Sequence, residues 1–116
     1  MKVLTSPSAE DLKSIFKDAF WVVDALVGTG QKGVLRSPLD IVVRQINESG
    51  VKVLAVDLPS GLDADTGIAS DPTIKATITA TMVTPKTGFQ NPEAQAYLGK
   101  LKVVGIGLPK WLLPLS

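Results

Sequence analysis

The sequence predicts an α/β fold, a Rossmann-like three-layer αβα sandwich with a mostly parallel sheet. Short apolar runs alternate with longer amphipathic segments, which is typical of βαβ units. The most informative apolar run is Val51–Val56, where Val, Leu and Ala are interrupted by one Lys and Asp57 follows directly. Such a run suits a strand buried on both faces, and an acid at its end would lie where parallel sheets bind ligands.

The composition narrows the chemistry that this chain can perform. Its 116 residues suit one domain, and it contains neither cysteine nor histidine, which excludes disulfides and thiolate or imidazole metal sites. Twelve basic and 11 acidic residues give a net charge of +1, so bulk charge offers no case for a nucleic-acid partner. No apolar run approaches the roughly 20 residues that span a bilayer. The N-terminus lacks a signal-peptide pattern. We therefore expect a soluble, cytoplasmic protein without a membrane partner.

The N-terminal part of the chain predicts one βα unit and a second strand. Met1–Thr5 suits a short strand, and Ser8 is placed to cap the helix that follows. Four apolar residues are spaced for one face of that helix: Leu12, Ile15, Phe16 and Ala19. Phe20–Val27 is predicted as a second buried strand. Asp24 interrupts this strand, and its charge is costly there unless it is paired, ligated or placed at the strand end.

The central and C-terminal parts predict further alternation. A helix is expected over Pro38–Glu48, ending at a left-handed Gly50. Its inner side carries Leu39, Val42, Val43 and Ile46. Ala76–Val83 alternates Thr with apolar residues, which suits a strand with one less buried face. A short helix or turn around Asn91–Tyr97 and a final strand over Leu101–Ile106 complete the pattern.

Four polar segments follow predicted strands, so we expect them to converge at the carboxyl edge of the sheet. They are Asp24, Gly28–Gly33, Asp57–Gly61 and Thr84–Gly88. The segment G-T-G-Q-K-G resembles a phosphate loop in which backbone N–H groups hold an anion and a lysine adds charge. The motif is weak, because it lacks the Gly-Lys-Ser/Thr ending of an ATPase loop. A glycine-rich turn without a ligand is the alternative interpretation.

The acids near these strand ends allow three interpretations. Asp24 and Asp57 could form a paired-carboxylate catalyst, bind a hard cation, or cap nearby backbone N–H groups. Together with Ser60 they offer only oxygen atoms, which suits potassium, sodium or magnesium. Asp63 and Asp65 do not follow the EF-hand spacing and are better explained as turn residues.

Four strings together resemble one known family over Val22–Pro109. They are V-D-A-L-V-G-T-G, V-D-L-P-S-G-L-D-A-D-T-G, M-V-T-P-K-T-G and the Y-L-G-K-L-K-V-V ending. They are similar to the N-terminal, YjeF_N-type domain of NAD(P)H-hydrate epimerases. The resemblance implies a Rossmann-like fold and an isomerase that interconverts the R and S epimers of hydrated NADH or NADPH. It also implies a bound potassium ion and sometimes a fused ADP-dependent dehydratase.

The resemblance assigns roles to individual residues. Asp24 and Ser60 would ligate potassium, and Asp57 would contact the substrate at its reacting end as general acid or base. The substrate phosphates would lie against Gly28, Thr29, Gly30, Gln31, Lys32, Gly33 and Val34.

One departure from the family pattern affects these expectations. The family has an N-terminal portion with an Asn-Asn-Gly-Gly-Asp loop, which this sequence lacks, so residues 1–116 correspond to the second half of an incomplete domain. A fragment, a separate partner half or a loss of activity would each explain this. We expect a homodimer or an assembly with the absent half. The alternatives are a non-catalytic nucleotide-binding or protein-interaction module of the same fold, and a general nucleotide-binding domain.

Overall fold

The computed structural model describes residues 8–26, 34–82 and 85–105. The predicted strand over residues 1–5 and the C-terminal tail lie outside these ranges. The α-helices and strands in the described part are α1 (Ala9–Lys17), β1 (Trp21–Asp24), α2 (Leu39–Ser49), β2 (Lys52–Val56), β3 (Ile78–Met82), α3 (Gln95–Leu98) and β4 (Lys100–Val104). Two short 3-10 helices, Thr87–Gln90 and Pro92–Ala94, lie between β3 and α3. None of the described helices is long and apolar enough to cross a membrane.

The four described strands form one parallel sheet in the order β1-β2-β3-β4. Asp24 lies beside Ala55, and Val56 lies beside Ala80, so the ends of the first three strands are nearly level. All four carboxyl ends therefore lie at the same edge of the sheet. The parallel α/β class is confirmed, and the loops that leave the strands are positioned to converge.

Helix α1 begins where the sequence predicts. The hydroxyl of Ser8 accepts from the amide of Asp11 over 3.2 Å, and the Asp11 carboxylate accepts from the Ser8 amide over 3.1 Å. This reciprocal capping box satisfies two donors that the first helical turn leaves unpaired. Leu12 is buried as expected. Ile15, spaced for the same face of the helix, is 39% exposed.

Helix α2 packs on the sheet through the side that its sequence predicts. Val43 and Ile46 are buried against Val53 and Ala55 of β2. The helix ends at Gly50, whose φ of 71° is the left-handed conformation that glycine adopts without strain.

The described core lies on one face of the sheet. One apolar cluster joins α2 to β2. The second lies under the loop after β2 and under α3, and consists of Leu58, Leu62, Ala64, Phe89, Ala94 and Leu98. The side chains of β2 and β3 that point to this face are nearly inaccessible, whereas those of the opposite face are half-buried.

The opposite face of the sheet is exposed, with apolar side chains on β1 and β2 and exposed lysines at Lys52, Lys100 and Lys102. Trp21 is 45% exposed and Val23 is 59% exposed, while Leu54 and Val56 of β2 are half-buried. Successive residues of a strand alternate between faces, and register places these four side chains on the same face. The prediction that the first two strands are buried on both faces is therefore wrong for the described residues, which supply no helix on this side.

Strand β3 has one less buried face, as predicted, but that face carries the apolar residues. Thr79 and Thr81 are fully buried, while Ile78, Ala80 and Met82 are half-buried. The threonine hydroxyls are tolerated there because each one donates a hydrogen bond, Thr79 to the carbonyl of Leu98 over 2.8 Å and Thr81 to Asp57.

Candidate functional site

Asp57 leaves the sheet directly after β2, as the sequence predicts. Its amide donates to the carbonyl of Ala80 over 2.8 Å, which extends the pairing between β2 and β3 by one residue. Its φ is 74°, in the left-handed region that aspartate visits more readily than most non-glycine residues. This turn directs the carboxylate toward the end of β3.

Three donors meet one oxygen of the Asp57 carboxylate. Lys86 Nζ lies 2.6 Å from Oδ1, the amide of Met82 donates to Oδ1 over 3.2 Å, and the Thr81 hydroxyl donates to it over 3.3 Å. Partial burial raises the pKa of Asp57, but the hydrogen bond and charge of Lys86, with the other two donors, lower it by more. The pKa therefore lies below its ordinary value, and the group is ionised at neutral pH.

Lys86 belongs to the loop T-P-K-T-G, which the sequence predicts at the sheet edge without indicating a role for the lysine. The side chains of Lys86 and Asp57 are only 20% and 23% exposed. The signal that could have identified Lys86 is a cation at one strand end opposite an acid at the next, because such charges pair when the strand ends are adjacent.

Asp24 and Ser60 form a second, fully buried cluster. Asp24 ends β1 and is 1% exposed, and Ser60, three residues after Asp57, is 0% exposed. The Ser60 hydroxyl donates to Asp24 Oδ1 over 2.6 Å, and the Ser60 amide donates to Oδ2 over 2.8 Å. The amide of Leu26 adds a 3.2 Å bond to Oδ1. These contacts join the end of β1 to the loop after β2.

The charge of Asp24 has no cation beside it among residues 8–26, 34–82 and 85–105. A buried carboxylate is costly unless its charge is compensated. The Ser60 hydroxyl donates its one hydrogen to Asp24, so its lone pairs stay available to a cation. Within the same ranges no group of three acids that could hold a metal is present. The donor set is therefore a single charge with neutral oxygen, which fits a singly charged hard cation better than a divalent one.

The loop after Ser60 is held by its own polar groups. Asp63 Oδ1 accepts from the amides of Asp65 and Thr66 over 2.8 and 3.0 Å, which agrees with its prediction as a turn residue. Gly67 and Gly88 touch through their backbones, since a Cβ on Gly67 would lie 2.0 Å from the Gly88 carbonyl oxygen. The loops after β2 and β3 are thus packed backbone to backbone beside the site.

The predicted phosphate-binding segment is described only at its last residue. Gly28, Thr29, Gly30, Gln31, Lys32 and Gly33 lie outside the described residues. Val34 is 64% exposed and lines a cavity of about 290 Å³ with Gly61 and Ile68. Val34 is therefore accessible from solvent and lies beside the loop that follows Ser60.

Comparisons with known proteins identify the family of this chain. Residues 1–88 match the family model described as "YjeF-related protein N-terminus". The chain belongs to this family. It is 42% identical over 108 residues to the NAD(P)H-hydrate epimerase of Pirellula staleyi, covering 93% of this chain and 48% of that relative. It is 44% identical over 98 residues to the bifunctional NAD(P)H-hydrate repair enzyme Nnr of Pyrobaculum aerophilum, covering 84% of this chain and 20% of that protein.

A solved structure supports the fold. The crystal structure of yeast ynu0 superimposes with a TM-score of 0.68 at 22% identity, covering 93% of this chain and 46% of the yeast chain. The chain spans about half the length of the Pirellula relative and of the yeast protein, and a smaller share of the Pyrobaculum enzyme.

Proposed function

We propose that this chain carries the catalytic half of an NAD(P)H-hydrate epimerase, which interconverts the R and S epimers of hydrated NADH or NADPH. The observation that carries the proposal is the ionised, partly exposed carboxylate of Asp57 at the carboxyl edge of the sheet. A base held in this way can take a proton from a bound substrate. The names of the relatives support the choice of hydrated nicotinamide nucleotides.

The chemistry assigned to Asp57 is proton exchange at the hydrated ring. Because Asp57 starts as a carboxylate, it acts first as a base and accepts a proton from the substrate. Epimerisation changes neither the atoms nor the charge of the substrate, so the proton must be returned within the same turnover. Its turn conformation and three hydrogen bonds keep the carboxylate oriented between these two steps.

The test of this role is Asp57→Asn, which keeps the shape of the side chain and removes its basicity. Conversion of R to S hydrated NADPH should fall by about 10²-fold or more. Asp71→Asn is the matched control, because Asp71 is exposed and pairs only with the exposed Arg44 among the described residues. Near-normal conversion by Asp57→Asn would remove this residue from the mechanism.

We propose further that Asp24 and Ser60 help to hold a potassium ion. Support comes from the buried, uncompensated charge of Asp24 and the adjacent hydroxyl. A bound cation would supply a fixed positive charge beside the loop that carries Asp57. The two residues would fix the ion, while the proton exchange stays with Asp57.

The ion is tested by stability, independently of activity. Potassium should raise the melting temperature relative to tetramethylammonium at equal ionic strength, because a ligand that binds only the folded state stabilises it. Asp24→Asn should lose this difference. Identical melting curves in both salts for the wild type would rule out the site.

The substrate phosphates are proposed to lie against the segment from Gly28 to Val34, with Lys32 providing charge. The accessibility of Val34 beside the Ser60 loop supports this placement. Lys32→Ala should weaken binding of NADP-type ligands by about 1–3 kcal/mol, the scale of a lost charge-assisted hydrogen bond. Unchanged affinity, measured by calorimetry, would mean that the segment is only a turn.

The exposed face of the sheet that carries Trp21 and Val23 is proposed to bind a complementary half-domain. This chain spans 48% of the Pirellula relative, and Trp21 and Val23 leave apolar area that is costly in water. The occupant is proposed to be a segment equivalent to the unmatched part of that relative. Mixing the chain with that segment should give a 1:1 complex by light scattering. Val23→Asp should weaken it, whereas Lys75→Asp, away from this face, should not.

Self-association without binding of that segment would favour the homodimer instead. A non-catalytic interaction module is the second candidate, favoured only by the same exposed face. It predicts that the 1:1 complex forms but shows no epimerisation at any pH. A cytoplasmic location stays a prediction from the sequence.

A further inference from the structure

The two oxygens of the Asp57 carboxylate accept different numbers of hydrogen bonds. Lys86, Met82 and Thr81 all donate to Oδ1, and no described residue donates to Oδ2. An oxygen that already accepts three hydrogen bonds is a poor proton acceptor, because protonation would break at least one of them. The two oxygens of one carboxylate are therefore not equivalent.

Lys86 is held in place by its backbone and not only by its charge. Its carbonyl accepts from the amide of Phe89 over 3.1 Å, and Phe89 is buried in the second core cluster. Two residues after Lys86, the amide of Gly88 donates to the carbonyl of Ala64 over 2.7 Å. Exposed ion pairs between flexible side chains contribute little, but here the loop that carries the cation is already ordered.

We propose that Lys86 is a positioning residue for Asp57, which occupies Oδ1 and leaves Oδ2 as the oxygen that exchanges a proton with the substrate. This role rests on the proposed epimerase function. It goes beyond that function by naming the group that fixes the protonation state and the reacting oxygen of the base.

Lys86 is the charged residue whose substitution best tests this role. Among the described residues Lys86 is the cation in contact with the carboxylate, and the β3 donors Thr81 and Met82 do not titrate. Asp24, on the far side of β2, directs both oxygens to Ser60 and Leu26. The lowered pKa of Asp57 agrees with this arrangement, since the lysine opposes the effect of burial.

The first test needs no activity. The carboxyl resonance of Asp57, followed by ¹³C NMR titration of the full chain, should move its midpoint upward by about 1 pH unit or more in Lys86→Met. Lys86→Arg should keep the wild-type midpoint to within about half of that change. Lys75→Met, three residues before β3 begins and so at the opposite edge of the sheet from Lys86, is the control and should leave the midpoint unchanged. A midpoint that does not move in Lys86→Met overturns the proposal, whether or not the protein turns over.

The second test separates positioning from substrate binding. In the assembly that converts R to S hydrated NADPH, Lys86→Met should shift the acid limb of the kcat profile upward. It should also lower kcat on the plateau about 10-fold, with KM within about 2-fold of wild type. A raised KM with an unchanged pH profile would mean that Lys86 binds substrate and does not position Asp57. No turnover in the wild type at any pH would refute the proposed function, and the NMR result would still decide whether Lys86 controls Asp57.

Discussion

The hydrogen bonds between Asp24 and Ser60 should make a measurable contribution to stability. Asp24→Ala removes the acceptor of both Ser60 donors and of the Leu26 amide. The Ser60 amide is then buried without a partner, because Ser60 is 0% exposed. The Ser60 hydroxyl loses its acceptor as well, whereas Leu26, at 37% exposed, is accessible to water.

The size of the change in stability depends on whether each of these three donors finds another partner. An unpaired buried donor costs about 1–3 kcal/mol, and a hydrogen bond to a charged acceptor contributes about 1.5–3 kcal/mol. Water can replace the partner of the Leu26 amide, but both Ser60 donors lose theirs, which would cost about 2–6 kcal/mol in total. Because the change also removes a buried charge with no described cation beside it, we expect Asp24→Ala to lower the free energy of unfolding by about 2–4 kcal/mol. Asp24→Asn should cost less, about 1–2 kcal/mol, because its oxygen can still accept from the Ser60 amide.

The assay is urea unfolding followed by circular dichroism, in tetramethylammonium buffer so that no potassium contributes. Asp18→Ala is the matched control, since Asp18 is exposed at the end of α1 and should change stability by less than about 0.5 kcal/mol. The slope of the unfolding free energy against urea should stay constant. If Asp24→Ala and Asp18→Ala agree within error, the cluster does not stabilise the fold and the reasoning fails.

Two further predictions concern the loops beside the site. Gly88→Ala should lower the free energy of unfolding by more than Gly50→Ala does, because a Cβ on Gly88 would lie 2.3 Å from the Gly67 amide nitrogen. A Cβ on Gly50 would meet no atom within 4 Å, so Gly50→Ala should cost only about 1 kcal/mol for its left-handed backbone. The same urea assay compares the two variants. The folded pKa of Asp57 is depressed, so its stabilisation is complete above the unfolded pKa and is lost as pH falls through the folded one. The stability difference between wild type and Asp57→Asn should therefore be constant from pH 5 to 7 and shrink below about pH 4; a difference that grows there would contradict the sign.

The sequence was sufficient for the order of the elements but not for every end, since the strand predicted over Phe20–Val27 ends at Asp24. Apolar runs predicted all four described strands. Ser8 predicted the start of α1 and Gly50 the end of α2, because a serine cap and a left-handed glycine act through local chemistry. Burial was harder, because it depends on what covers a face and not on the strand itself. Val23 looks like a core residue in sequence, yet it is 59% exposed since no described helix covers its face.

The acids and the serine of the candidate site could be predicted from the sequence, but the residue that pairs with Asp57 could not. Asp24, Asp57 and Ser60 were selected because they follow strands, and parallel pairing then brings them to one edge. Lys86 lies 29 residues beyond Asp57 in a polar loop whose sequence has no periodicity. Its pairing depends on β3 lying beside β2, on the left-handed turn at Asp57 and on an ordered loop, which are properties of the folded chain.

Asp24 and Asp57 both follow strands, but their surroundings differ in burial and in charge. Asp24 is buried and receives only neutral donors, and no cation lies beside it among the described residues. Asp57 is partly exposed and already paired with Lys86, so it needs no further cation and can stay ionised as a base. For this reason the placement of Lys86, and not the presence of two carboxylates, is the observation on which we propose proton exchange for Asp57 and ion binding for Asp24.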